Sequence, residues 1–303
     1  MTTDRPFVGI LFMLAFCVLA PFGDSIAKLL GASVSLMTLV FVRFFVQTAV
    51  LLPMSVVQGE SLRLPKGLSR WVLLRTVLHI LGIGTMFTAL QYLPLADALA
   101  IAFVMPFIML LLGRFVMGEE VGIARLMACA IGFGGTLLVI QPNFAEVGAP
   151  ALLPLGVAVI FALFMMATRQ VAKQINPITL QAISGLQASA ILLAVAFLAS
   201  GNATAIDLAF DRTTGLLLLS LGLLGTAAHL FMTWSLKLAP ASTLAPMQYL
   251  EIPFGTAIGW LVFADLPNGL AALGICITIG AGLYVIFRER RLSLRQAMPP
   301  AEL

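Results

Sequence analysis

The chain has 303 residues, 61% of them hydrophobic and only 10% charged, with a net charge of +4. Its mean hydropathy of +1.08 and its long apolar stretches exclude a water-soluble domain as the main body, because a segment of about 20 apolar residues crosses a bilayer. The positive charge has no interleaved exposed aromatics, which excludes a nucleic-acid partner and favours contact with anionic lipid headgroups.

In chain order, the predicted elements are ten transmembrane helices with short connections. The first follows Arg5 and could be read as a signal peptide, but nine further spans follow it, so we interpret it as a retained anchor. The predicted spans are residues 7–29, 34–57, 70–92, 95–117, 123–141, 152–172, 177–200, 214–238, 241–263 and 269–288.

The basic residues predict the orientation of these spans. With a cytoplasmic N-terminus, 13 of the 17 Lys and Arg residues lie on the cytoplasmic side of the membrane. Only Lys28 and Arg212 lie on the outer side, and the remaining two, Arg43 and Arg75, lie within spans. Positive charge in short loops marks the cytoplasmic side. We therefore predict an even number of spans in a bacterial inner membrane, with both termini in the cytoplasm. We further expect four basic residues near the cytoplasmic helix ends to snorkel to the interface, namely Arg75, Arg114, Arg169 and Lys237.

The two halves of the chain repeat each other at an offset near 146 residues, as Pro94 with Pro240 and Gly134 with Gly280 illustrate. We predict a first five-helix repeat at 7–141, a second at 152–288, and a basic cytoplasmic tail at 289–303. An odd number of spans per copy inverts the second copy, which is typical of alternating-access carriers. Duplication as a purely structural device is the alternative.

Two segments carry a family resemblance. Residues 89–100 read ALQYLPLADALA and precede Pro106 and the motif at 118–120, while residues 238–245 read LAPASTLA and precede Glu251-Ile252-Pro253 and the motif at 263–265. They resemble the two copies of the EamA-type drug/metabolite transporter superfamily over about residues 7–288, although Asp265 stands where Glu is more usual. Within it, the chain is most similar to bacterial amino-acid and metabolite exporters, including the aromatic amino-acid branch. The resemblance implies ten helices that rock around a central cavity.

Glu251 is the candidate for substrate or proton handling in the ninth span. Gln248, Gly255 and Gly259 share its helical face at spacings of three and four, and Tyr249 is a deep candidate for ring stacking. Polar groups within a membrane are costly and are therefore informative. The alternative is that Glu251 pairs with a buried base or holds two helices together.

Other candidates for substrate binding lie in the second, third, fourth and eighth spans. His79 and His229 lie near the centres of their spans, where each could bind a carboxylate or accept a proton, or simply join two helices. Met105 could form a pliable wall. Arg43 could bind a carboxylate or lock its helix to a neighbouring carbonyl or acid; we favour the structural role.

Pro106 and Pro253 occupy related positions and are predicted hinges, because proline frees a helical carbonyl. No ligand spacing predicts a metal, and neither a cofactor nor an enzymatic constellation is expected. We thus predict an inner-membrane exporter of amino acids or related metabolites that works by alternating access, with possible coupling to protons. The alternatives are a channel-like facilitator or an exporter of another metabolite or a drug-like cation.

Overall fold

A computed structural model describes residues 5–65, 67–93, 95–119, 121–140, 148–198, 206–264 and 269–297, and within these ranges it is helical without any strand. Seven helices are long and apolar enough to cross a membrane, and the helices Met105–Phe115 and Ile123–Leu138 are apolar but shorter. The protein is therefore a multi-pass membrane protein.

The helices follow the predicted spans closely. In chain order, over the described residues, they are α1 (Pro6–Leu30), α2 (Leu36–Val57), α3 (Ser69–Tyr92), α4 (Leu95–Ala102), α5 (Met105–Phe115), α6 (Ile123–Ile140), α7 (Leu152–Ala172), α8 (Pro177–Leu198), α9 (Arg212–Leu238), α10 (Ala241–Leu244), α11 (Glu251–Phe263) and α12 (Gly269–Ala297). Short 3-10 segments add Ala149–Ala151 and Ala245–Leu250.

The fourth and ninth predicted spans are broken helices, which corrects the expectation of ten continuous ones. The fourth is divided into α4 and α5 around Phe103 and Val104, and the ninth runs through α10, the 3-10 segment and α11. Proline accompanies both breaks: Pro106 follows the first, Pro246 lies at the start of the 3-10 segment and Pro253 follows it, and a proline has no N–H to donate to the carbonyl four residues earlier. Unwound backbone at membrane depth is tolerated where protein surrounds it.

The predicted basic tail at 289–303 begins as a helix, and its place in the cytoplasm stays a prediction. Helix α12 continues to Ala297, well beyond the predicted end of the tenth span at residue 288. At the start of this extension, the Glu289 carboxylate lies 3.3 Å from Arg125 of α6 and 3.1 Å from the adjacent Arg288. The ion pair with Arg125 ties the start of the extension to α6.

The main packing pairs each join one half of the chain to the other. Helix α1 packs along α9 and α3 along α7, while α2 packs on α8 and α6 on α12. The pairs are equivalent in the two halves: α1 and α7 are counterparts, as are α3 and α9, so the pair α1–α9 corresponds to the pair α7–α3. The pairs α2–α8 and α6–α12 each join a helix to its own counterpart. The two halves thus form one interlocked body with equivalent contacts, and the inversion of one copy relative to the membrane stays a prediction.

Helix caps fix the ends of two helices on the predicted outer side. The Ser35 hydroxyl accepts a hydrogen bond from the Thr38 N–H at 3.2 Å and begins α2. Asp211 begins α9 in the same way, and the hydrogen bonds that its carboxylate accepts from Thr214 and Thr213 lower its pKa. Both caps are local features of the sequence and position the long helices that carry the site.

Candidate functional site

A central cavity of about 90 Å³ lies between the two halves. Helices α1, α2, α3, α4, α7, α9 and α11 line it, together with the break between α4 and α5 and the first residue of α5. Ligand sites usually measure about 300–1,000 Å³, so the helices must move apart before a metabolite of ordinary size can occupy this one.

Phenylalanine and methionine supply most of the large apolar side chains of the cavity wall. Its phenylalanine and methionine side chains come from both halves of the chain: Phe16, Met86, Phe87, Phe103, Met105, Phe161 and Met165. Aromatic rings stack on flat ligands, and methionine adapts to irregular shapes. The wall therefore suits a planar ring, and Met105 lies where the sequence predicted a pliable surface.

Three charged side chains also line the cavity: Asp24, Arg43 and Glu251. Asp24 interacts electrostatically with both of the others. Arg43 and Glu251 were predicted as site candidates, whereas Asp24 was not. Asp24 could have been predicted from the sequence, because it lies inside the first span. An acidic side chain within a membrane helix is energetically costly and therefore indicates a functional site.

Arg43 is held in place by its own helix and by α9. Its two terminal nitrogens donate to the side-chain oxygen of Gln47 at 3.1 Å and to the backbone carbonyl of Gly225 at 2.8 Å. The guanidinium lies so close to Gly225 that a Cβ atom there would overlap it. Arg43 thus locks α2 to a neighbouring carbonyl, as expected, and also faces the cavity.

A chain of amide hydrogen bonds supports the wall from behind. Gln47 donates to the backbone carbonyl of Gln181 at 2.7 Å, and the side chain of Gln181 donates to the His229 carbonyl at 2.8 Å and to Thr233 Oγ1 at 2.9 Å. This chain connects α2, α8 and α9. It fixes the backbone of the helix that presents His229.

The two histidines meet, although they come from different halves of the sequence. Their ring centroids are 4.3 Å apart, and Phe164 stacks on His79 at 4.5 Å. His229 lines the cavity, and His79 lies behind it, fully buried. The structure therefore brings both predicted residues to one place, with only His229 at the wall.

Gln248 and Tyr249 do not line this cavity. The 3-10 segment breaks the helical spacing on which the prediction for Gln248 depended, and Gln248 points at the sulfur of Met109, with its nitrogen 2.8 Å away. The Tyr249 hydroxyl donates to the carbonyl of Phe103 at 3.2 Å. Their contact with a substrate stays a prediction.

The predicted hinges lie beside the broken segments. Pro106 is in the first turn of α5 and Pro253 is in the first turn of α11. Tyr249 and Phe103 are 146 residues apart, so this hydrogen bond joins the two breaks at equivalent positions of the repeat. Both breaks lie at the edge of the cavity, since Phe103 of the first break and Glu251, directly after the second, line its wall.

Two buried arginines contradict the snorkelling expectation. Arg75 has no exposed surface, and only 2% of Arg169 is exposed. Arg75 donates to Thr168 and Ser184, and Arg169 donates to the carbonyl of Leu236. Hydroxyl groups and free carbonyls inside the bundle replace the water at the interface. By contrast, Arg114 is exposed.

Both ends of the cavity carry closing contacts. At the predicted outer end, the Lys28 ammonium donates to the Leu93 carbonyl at 2.9 Å and lies 5.6 Å from the ring centre of Phe263. A wider depression of about 480 Å³ adjoins the cavity there, and Phe87 is common to both. These contacts lie at the predicted outer end of the cavity, where the depression forms a vestibule.

At the predicted cytoplasmic end, the Glu119 carboxylate accepts hydrogen bonds from the backbone N–H groups of Ala241 and Ser242 at 3.1 and 2.9 Å. The side chain of Arg169 lies 3.8 Å from it. Glu119 therefore joins the end of α5 to the start of α10 across the two halves. Its predicted counterpart, Asp265, lies outside the described residues.

The sequence pattern of the EamA-like transporter family matches residues 7–141 and 149–288. A riboflavin transporter of Rhizobium johnstonii is 30% identical over 228 residues, which cover 74% of this chain and 72% of that protein. An S-adenosylmethionine uptake transporter of Rickettsia prowazekii is 24% identical, over 93% of this chain and 94% of that protein. A crystal structure with 21% sequence identity has the same fold, with a TM-score of 0.71 and coverage of 95% of this chain and 98% of the other.

Proposed function

The chain belongs to the EamA-like transporter family, and on that premise we propose that it carries small metabolites that combine a planar ring with polar or charged groups. The observation that supports this most directly is the cavity wall, where phenylalanine and methionine side chains surround Asp24, Arg43 and Glu251. A planar ring of the solute would stack on the phenylalanine side chains of this wall. A charged group of the solute would pair with one of the three charged side chains.

The named relatives are consistent with that class. Riboflavin and S-adenosylmethionine, which the relatives are named for, each contain a fused planar ring system and a polar chain. Aromatic amino acids, one branch of the amino acids and related metabolites predicted from the sequence, share this combination. We therefore extend the proposal to all three kinds of solute, and we include both uptake and export.

We infer that transport proceeds by alternating access. The cavity of about 90 Å³ is too small for such solutes, so each cycle requires the halves to separate at one end and then at the other. Pro106 and Pro253 are placed to absorb this motion because they adjoin the two breaks. The proposed setting is the bacterial inner membrane, with both termini in the cytoplasm and with no enzymatic step.

A solute panel in proteoliposomes tests this function. Labelled riboflavin, S-adenosylmethionine and tryptophan are offered to the wild type and to Glu251→Gln. We expect at least one solute to show saturable uptake, and we expect the variant to lower kcat/KM by about tenfold, as the loss of one charge-assisted contact implies. Glu60→Gln, at an exposed position, is the matched control and keeps the wild-type rate. No saturable uptake of any of the three would overturn the proposal.

Proton coupling is a finer part of the proposal, based on Glu251 and the two histidines. It is tested by imposing a pH gradient across the same vesicles. If protons are coupled, the gradient drives accumulation above the external concentration of the solute. An unchanged final level in the presence of the gradient would exclude coupling and leave facilitated diffusion.

A further inference from the structure

Four nitrogen-bearing side chains of the membrane core converge beside the cavity: Arg43, Arg75, His79 and His229. We propose that this basic cluster binds one small anion, either a carboxylate group of the transported solute or an inorganic anion such as chloride. The inference rests on the proposed function only for the first of these two sources.

The arginines and histidines act on one another electrostatically. The positive charges of Arg43 and Arg75 both reach His79 and His229. Phe164 holds the group together, since the Arg75 guanidinium lies 4.9 Å from its ring centre and His79 stacks on the same ring. The four side chains therefore form a single cluster, and one bound anion would interact electrostatically with all of them.

Among the residues that the structure describes, no carboxylate balances the charge of Arg75. Its Nε donates to Thr168 Oγ1 at 2.9 Å and its Nη1 donates to Ser184 Oγ at 2.6 Å, but both acceptors are neutral, and Nη2 has no acceptor. A buried charge is costly unless it is paired. Asp24 accompanies Arg43, which leaves one positive charge in the cluster unmatched.

The histidines add further unsatisfied atoms. Both ring nitrogens of His79 and Nδ1 of His229 are buried and have no hydrogen-bond partner within the described part of the chain. In either tautomer of His79, the nitrogen that carries the proton is therefore an unused donor. Nearly all buried donors in proteins are satisfied, and exceptions point to an ion or to water. An anion would accept from these donors and neutralise Arg75.

The cavity provides a route to this cluster. Arg43 and His229 belong to its wall, while His79 and Arg75 lie behind them. An anionic group in the cavity would contact the first two directly, and the positive charge of the second pair would attract it. The carboxylates of Asp24 and Glu251 also line the cavity and would repel the anion, which favours a position on the His229 and Arg75 side of the cluster.

Thermal unfolding of the purified full-length protein tests the inference without any transport measurement. A ligand that binds only the folded state raises Tm. We compare sodium chloride with sodium gluconate at equal ionic strength, and tryptophan with tryptophanamide. We expect chloride or the free carboxylate to raise Tm by a few degrees relative to its partner in the wild type.

The variants assign the effect to the cluster. Arg75→Gln and, independently, His79→Phe, which keeps the ring stacking, abolish the difference; Arg75→Lys and the exposed control Arg114→Gln retain it. An equal Tm within both pairs of solutions would overturn the inference, as would a difference that Arg75→Gln and His79→Phe both leave intact. If the solute panel fails while chloride still raises Tm, the proposed function falls and the anion site stands.

Discussion

At the scale of single residues, Gly225 allows Arg43 to reach the cavity wall. Gly225→Ala would place a methyl group inside the guanidinium, so we expect Arg43 to be displaced and the protein to lose about 1–3 kcal/mol of stability. The displaced side chain no longer faces the solute, and KM rises with it. Thermal unfolding and saturation kinetics in vesicles measure the two effects.

Gly84→Ala is the matched control, because Gly84 also lies within a membrane helix but a Cβ atom there meets nothing within 4 Å. It leaves both Tm and KM close to the wild-type values. Equal behaviour of the two alanine variants would show that the position of Arg43 does not depend on Gly225.

The sequence predicted the charged residues of the site better than their surroundings. Arg43, Glu251 and His229 stand out because polar groups inside apolar spans are rare, and all three line the cavity. Burial of Arg75 could not be predicted, since its position near a helix end allowed snorkelling equally well. The hydrogen bonds of Arg75 to Thr168 and Ser184, which only the folded structure shows, decide between burial and snorkelling.

At the scale of helices, the hydrogen bond from Tyr249 to the carbonyl of Phe103 joins the two broken segments. Tyr249→Phe removes only this bond, and we expect a loss of about 1 kcal/mol in stability together with a changed kcat. Tyr284→Phe, at an exposed tyrosine, is the control. A Tm that is equal for both variants would show that the contact between the breaks contributes nothing.

The proline hinges are tested by restoring the missing N–H groups. Pro106→Ala and Pro253→Ala allow α4 and α5, or the 3-10 segment and α11, to continue as straighter helices. We expect kcat to fall with little change in KM, because the motion is affected and the cavity wall is not. Pro53→Ala, within α2 and away from the cavity, keeps the wild-type kcat; an equal kcat in all three variants would remove the hinge assignment.

Helix positions were predictable because the apolar length of a span fixes its ends to within a few residues. The breaks were not, because a proline in an apolar run is compatible with either a kink or a new helix start. The spacing of Gln248 and Glu251 was read as one continuous helix, whereas residues 245–250 form a 3-10 segment. That local change turned Gln248 toward Met109.

At the scale of the whole molecule, Glu119 fastens the two halves together at the predicted cytoplasmic end. Glu119→Gln weakens its bonds to Ala241 and Ser242 and its attraction to Arg169, so we expect this end to open more often. Labelling of Ser242→Cys by a maleimide, in a background in which the exposed Cys276 is replaced by serine, measures that opening. Arg114→Gln, at an exposed position, is the control, and equal labelling rates in the two variants would contradict the closing role.

The central claim is that a closed cavity between the two halves opens alternately to each side. Counterflow measures this most directly: vesicles preloaded with an unlabelled solute from the panel are diluted into its labelled form. We expect the wild type to accumulate label transiently above the equilibrium level, since a carrier exchanges one solute for another. We expect Glu251→Gln to lose this overshoot. Label that rises to equilibrium without any overshoot in the wild type would contradict alternating access and indicate a channel.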